Sequence, residues 1–235
     1  MKFEHKLITG TLIKRYKRFL ADIRLDSGEI ITAHCANSGS MMGLKDAGRS
    51  VWLSPQTNPK AKLRYKWELI EVDGTCVGIN TSRPNRLVED AITDGTITEL
   101  DGYQNLRREM KYGTNSRIDI FLSNSALKEK DCYVEVKSVT LSRTREIAEF
   151  PDAVTARGTK HLKELTQMVA DGHRAMMVYL IQRGDCTEFR IAADIDPAYA
   201  AALNAALHNG VEAVCYGCTL TPKEIIVATR IPIRL

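Results

Sequence analysis

No apolar run in the 235 residues approaches the ~20 that a membrane-spanning helix requires. Residues 1–5 also lack the charged-then-apolar layout of a secretory leader. Cysteine is sparse, with six residues scattered at 35, 76, 132, 186, 215 and 218, a distribution that suits reduced thiols rather than a disulfide framework. Cys215 and Cys218 form a Cys-x-x-Cys, but no second pair exists to complete a tetrahedral site, so no zinc is expected. Gly39 and Gly43 fit no phosphate-loop pattern, and no nucleotide cofactor is expected. There is no internal repeat and no low-complexity tract. With 44% hydrophobic and 26% charged residues, disorder, collagen and coiled coil are excluded. A soluble cytoplasmic chain is expected, long enough for one large domain or two small ones.

Net charge is also small, at +4, and by itself implies no nucleic acid. Its distribution is uneven. Residues 1–80 hold 13 Lys and Arg against 8 Asp and Glu, whereas residues 81–235 hold 20 against 21. The positives of the first part cluster with aromatics, as Lys14, Arg15, Tyr16, Lys17, Arg18 and Phe19 and again as Lys60, Lys62, Arg64 and Lys66 beside Tyr65 and Trp67. Cations that neutralise phosphates and rings that stack on bases are what a single-stranded nucleic-acid platform needs. A basic, solvated strand face is the alternative.

Residues 1–80 read as short strands at 7–16, 19–25, 29–34, 50–53, 63–72 and 77–80, with hairpin turns at Asp26-Ser27-Gly28 and Asp73-Gly74. A small all-β barrel of about five strands, of the OB type, is the natural closure. A boundary is expected near 81–84, dividing the chain into residues 1–82 and 83–235. Beyond it helices alternate with strands, which indicates a mixed α/β domain. Asn85 and Thr159 are expected to cap two helices, strands to run at 105–112, 118–122, 132–139 and 175–181, a helix to open at Asp196-Pro197 and close at Asn209-Gly210, and two strands to end the domain at 211–219 and 224–229.

Glu-x-Lys occurs at Glu4/Lys6, Glu109/Lys111 and Glu135/Lys137, and about one is expected by chance. Only the last lies in a clear period-two strand, with Tyr133, Glu135 and Lys137 on one face and Val134 and Val136 on the other. Upstream, Asp119 opposes the face of Ile118, Ile120 and Leu122. If residues 123–131 turn the chain back so that the strands pair symmetrically about 127, Asp119 falls opposite Glu135. Two adjacent carboxylates repel unless a cation joins them, and Mg²⁺, or Mn²⁺, is the expected occupant. Such an ion activates water on a phosphodiester, and Lys137 would orient that water or stabilise charge on the phosphorus. An edge strand with a merely solvated polar face is the alternative.

The order Asp119, then Glu135-x-Lys137, resembles the PD-(D/E)xK nucleases of restriction-endonuclease-like fold. Across both parts the chain resembles the sugar fermentation stimulation protein A family, on the segments 12–22, 33–39, 116–119, 133–137 and 150–162. That resemblance implies an OB-like domain on a nuclease-like domain, non-specific binding of DNA, hydrolysis of DNA or RNA, and a proposed role in regulating maltose metabolism. A non-cleaving DNA-binding factor is the alternative it leaves. By motif, Asp119 and Glu135 would be metal ligands and Lys137 the catalytic lysine. A further ligand from the preceding helix would be Glu89, with Glu109 its rival. Ile118 stands where the family name has proline, and Pro151-Asp152 follows the Glu-x-Lys, so Asp152 reads as a loop or capping residue. Arg157, Lys160 and His161 would meet phosphate at a helix N-terminus.

Overall fold

The computed structural model describes residues 1–124 and 130–234. In the first part six strands form: β1 (Ile8–Tyr16), β2 (Leu20–Leu25), β3 (Ile30–His34), β4 (Ser50–Pro55), β5 (Tyr65–Val72) and β6 (Thr75–Gly78). They lie in the order β3-β2-β1-β4-β5-β6, and a β3–β5 pairing at His34 and Lys66 closes β1 to β5 into a five-stranded barrel. Closure removes the open strand edges that would otherwise invite aggregation. Asp73 and Gly74, both at positive φ, make the two-residue β5–β6 turn, as a primed hairpin turn requires. Leu12, Ile23, Met41, Leu53 and Trp67 fill the barrel interior.

The second part holds α1 (Pro84–Thr93), β7 (Asn105–Tyr112), β8 (Ser116–Ser123), β9 (Cys132–Val139), β10 (Leu141–Thr144), β11 (Ile147–Phe150), α2 (Ala156–Ala170), β12 (Arg174–Ile181), β13 (Glu188–Ile191), α3 (Pro197–His208), β14 (Glu212–Leu220), β15 (Ile225–Arg230) and β16 (Ile233–Arg234). Its main sheet runs β15-β14-β12-β9-β8-β7. The parallel strands β9, β12 and β14 occupy the middle, with antiparallel neighbours outside. Buried on both faces, β12 reads as the near-continuous apolar run Ala175 to Ile181 that such a position demands. One face packs against α1 and barrel residue Leu69, and the other against α2 and α3. This is the mixed α/β architecture expected, an OB-like barrel followed by a restriction-endonuclease-like domain. Among the described residues no helix is long and apolar enough to cross a membrane.

The two expected helix caps are corrected. Pro84 opens α1, and no side chain caps it; Asn85 lies one residue inside the helix. Thr155, not Thr159, caps α2, accepting from the Gly158 N–H at 3.1 Å. Gly158, a poor helix former, sits within that first turn, where a Cβ would come 2.9 Å from the Thr155 side chain and 3.0 Å from the Tyr199 ring of α3. The small sheet β10-β11-β13-β16 had no sequence signal, since none of its strands exceeds four residues.

Two clasps join the parts. Glu68, on β5 and only 1% exposed, receives Arg83 at 2.6 and 3.1 Å, Asn80 at 2.9 Å and Ser54 at 2.7 Å. Asp152, after β11, accepts from the Met41 N–H at 3.1 Å and from Ser40 at 3.3 Å. Residues 1–3 also reach the far edge of the main sheet, where Lys2 bridges Glu224. Truncating one partner of a buried pair leaves the other without compensation, so Glu68→Ala is expected to lower stability by on the order of 3 kcal/mol in urea unfolding. A change below about 0.5 kcal/mol would show that the clasp is dispensable.

Candidate active site

Asp119 stands on β8, and Glu135 and Lys137 on β9. The β8–β9 register pairs Ile120 with Val134, Phe121 with Tyr133 and Leu122 with Cys132, which is symmetric about 127 and brings position 119 to the level of 135. Part of the connecting segment, 125–129, lies outside the described residues. Strand β9 is not an edge: it lies between β8 and β12, and Glu135 is 2% exposed. The polar face of the Glu-x-Lys strand is therefore an interior one.

Each carboxylate is held from several sides. Asp119 accepts from the Asn85 amide at 2.8 Å on one oxygen and from the Val136 N–H at 2.8 Å on the other. Glu135 Oε1 receives Lys137 Nζ at 2.7 Å and faces His161 Nδ1. Among the described residues Glu135 Oε2 is buried with no partner, as are the Tyr112 hydroxyl and Glu164 Oε2. Burial, and after it the nearby Glu135 charge, push Asp119 up to about 6 against the hydrogen bond from Val136, Lys137 and Asn85. For Glu135 burial acts upward, but the hydrogen bond from His161 and the charge of Lys137 outweigh it and hold the group below its ordinary value. Burial, then the Glu135 and Glu164 charges, raise the Tyr112 phenol.

A divalent ion fits this donor set. Among the described residues no three His, Cys, Asp or Glu side chains gather as a ready-made cage. Mg²⁺ needs less, since it commonly takes one or two carboxylates and keeps several waters. The unpartnered Oε2 of Glu135 is the atom such an ion would satisfy, with Asp119 contributing its remaining lone pairs.

The other expected site residues are scattered. Glu89 lies one turn after Asn85, where its carboxylate faces Arg108 at 3.4 Å and Arg86 at 3.9 Å, and among the described residues no hydrogen bond or ion pair joins it to Asp119 or Glu135. Glu109 is exposed on β7. Arg157 and Lys160 are exposed on α2, and Lys160 donates to the Thr114 carbonyl at 2.8 Å. His161, by contrast, is 3% exposed in the second turn and lies inside against Glu135. Its signal was legible as a polar residue on the apolar face, four residues before Leu165 and seven before Met168. Asn85, Tyr112 and Glu164 carried no comparable signal.

On the barrel, Lys14, Lys17 and Arg18 are exposed, Lys14 lying 3.6 Å from Asp22, and Phe19 shows 45% of its surface, its ring stacked on His34. Arg15 is engaged instead, donating to the Asn37 and Gly39 carbonyls at 2.9 and 3.1 Å. The Tyr16 hydroxyl donates to Asp22. Arg64 is exposed and Lys66 half-buried. Trp67 is fully buried, its Nε1 bonded to the Leu69 carbonyl, so the second basic cluster offers Tyr65 but not the tryptophan to a base. The Cys-x-x-Cys pair is divided, with Cys215 in the core under α2 and α3 and Cys218 in the core under α1.

A closed OB-like barrel ahead of a mixed-sheet domain with a buried and a half-buried carboxylate on adjacent strands defines a two-part class of protein. The chain belongs to the sugar fermentation stimulation protein family, matching that family's RE domain over residues 82–224 and its N-terminal OB domain over residues 13–79. It is 58% identical over 225 residues to the sugar fermentation stimulation protein homolog of Rhodospirillum centenum, covering 96% of each chain. It is 54% identical over 237 residues to that of Roseobacter denitrificans, covering both chains fully. The structure of Pyrococcus furiosus SfsA in complex with Ca²⁺ matches with a TM-score of 0.90 and 29% identity, over 100% of this chain and 98% of that one.

The raised value of Asp119 has a measurable consequence. A carboxyl that titrates near 6 when folded and near 3.8 when unfolded binds its proton more tightly in the folded state. Its contribution is favourable below about 4, declines as pH rises to about 6, and opposes folding at neutral pH. Asp119→Asn, which can still accept from Val136 N–H, is therefore expected to be more stable than the parent by on the order of 1–3 kcal/mol at pH 7.5 in EDTA. In urea unfolding the gain should shrink towards pH 4; a gain independent of pH would contradict this origin.

Proposed function

We propose that this protein is a divalent-cation-dependent nuclease that binds DNA without sequence preference and hydrolyses phosphodiester bonds in DNA or RNA. The observation that carries the reading is the orphaned Glu135 Oε2, on a carboxylate whose other oxygen receives Lys137 Nζ and whose strand register sets it level with Asp119. Burial and the neighbouring Glu135 charge both disfavour the ionised form of Asp119, and a cation at this point would offset that. Asp119 and Glu135 would hold Mg²⁺ or Mn²⁺. The description of the Pyrococcus furiosus relative as a Ca²⁺ complex supports a divalent ion in this fold.

When bound, such an ion polarises a phosphoryl oxygen and lowers the pKa of its water. Asn85 and the Val136 N–H hold the Asp119 carboxylate in one orientation. Lys137, on the same face of β9 two residues on, has its ammonium 2.7 Å from Glu135 Oε1 and would orient the attacking water or stabilise charge developing on the phosphorus. Arg157, exposed at the start of α2, is available to a substrate phosphate. On the barrel, up to about residue 82, Lys14, Lys17 and Arg18 would neutralise the backbone while the exposed Phe19 ring takes a base.

Single- and double-stranded DNA and RNA incubated with Mg²⁺, Mn²⁺ or EDTA should be cut only with a metal, and Lys137→Ala should slow cutting by about 100-fold or more. Equal products from parent and variant would remove the reaction from this site, and metal-independent binding without any cutting would support a non-cleaving DNA-binding factor, including one acting in sugar metabolism. Replacing Lys14, Lys17 and Arg18 together by Ala should weaken single-stranded DNA binding and flatten its log affinity against log salt by about 2. An unchanged slope would place the phosphate contacts elsewhere.

A further inference from the structure

The two oxygens of Glu135 are treated differently, and α2 is responsible. Oε1 meets two donors, Lys137 Nζ and His161 Nδ1, while Oε2 meets none. His161 is buried to the same degree as the carboxylate it touches and is fixed from behind, where Arg157 Nε lies 3.3 Å from its Nε2. A guanidinium Nε always carries hydrogen and never accepts. An N–H on the His161 Nε2 would point at another N–H, so that nitrogen must be the acceptor and Nδ1 the donor. The proton therefore faces Glu135.

We infer that His161 is a positioning residue for the cation ligand Glu135: it pins Oε1 through Nδ1–H, with the tautomer set by Arg157, and so presents Oε2 as the open oxygen of that carboxylate. The inference rests on the reading of Glu135 as a ligand to a divalent ion. Metal-binding groups oriented by a second layer of hydrogen bonds are common, and removing that layer typically lowers metal affinity or activity 10- to 100-fold. Here it has a further use. Because His161 stays on Oε1, Lys137 can leave that oxygen for the attacking water without stripping it of its last donor. Arg157, exposed on one side and bonded to the ring on the other, also links the surface to the buried carboxylate.

Mn²⁺ binding, followed by the electron paramagnetic resonance signal of the free ion, tests the role without reference to cleavage. His161→Leu should bind Mn²⁺ 10- to 100-fold more weakly than the parent. His161→Asn, whose Nδ2–H can occupy the place of the ring Nδ1–H, should stay within about threefold of the parent by the same logic. Equal Mn²⁺ affinity in the parent and in His161→Leu would overturn the inference, as would an asparagine variant as weak as the leucine one. Should the leucine variant fail to fold, the ring ¹⁵N shifts of the parent decide: a protonated Nδ1 and bare Nε2 support the assignment, and a protonated Nε2 overturns it. A parent that binds Mn²⁺ but cuts nothing would overturn the nuclease reading and leave the positioning role in place. A parent that binds no Mn²⁺ would overturn both.

Discussion

A carboxylate in the middle of a sheet is the constraint around which the second part of the chain is organised. Glu135 occupies a central strand, paired in register with Met177 of β12, and is 2% exposed. Its neighbours divide the task of keeping it there. The β8–β9 register brings Asp119 alongside, α2 supplies an imidazole, and β9 itself supplies an ammonium two residues on. Helix α1 takes part as well, because Asn85, the expected cap, turns its amide to Asp119 instead. That helix starts on Pro84 with no side-chain cap, which sets a small local deficit against the orientation of a buried acid.

Much of this was legible from the residues, and the reasons differ from one element to the next. The barrel strands announce themselves through alternation and through the Asp73-Gly74 turn, because period two and positive φ leave marks in residue type. The Asp119 and Glu135 pairing was readable because both lie in long alternating strands whose symmetry can be counted. Helix α2 is capped four residues before the cap the sequence suggests, and Gly158, a poor helix former, lies in its first turn, crowded by Thr155 and Tyr199. The sheet built from β10, β11, β13 and β16 was invisible, as strands of two to four residues hold too little periodicity to register. His161 was noticed for its charge and assigned to the outside, when its position on the apolar face pointed inward. Trp67 lies among basic residues in the sequence, yet on β5, where residues 67–70 are all buried, its side chain enters the barrel core.

The division of charge between the two parts also takes on a local meaning. The excess positives of residues 1–80 do not form one uniform surface, because Arg15 is tied to two loop carbonyls while Lys17 and Arg18 sit in a tight turn at positive φ. That turn projects two cations beside an exposed ring instead of laying them along a strand. In the second part, several acids are matched within their own surroundings, as Glu149 and Asp194 are by Arg143. The acids near Tyr112 are matched least completely.

The clasps at Glu68 and Asp152 lie at separate points of the seam between barrel and main sheet. A single attachment would leave the barrel free to swing about it, as linked domains commonly do. Two attachments, supported by the bridge from Val77 to Arg183, cancel that rotation. The assembly then behaves as a gauge: whatever lies across the Lys17–Phe19 turn stands at a set span from Glu135, and that span is written into the backbone.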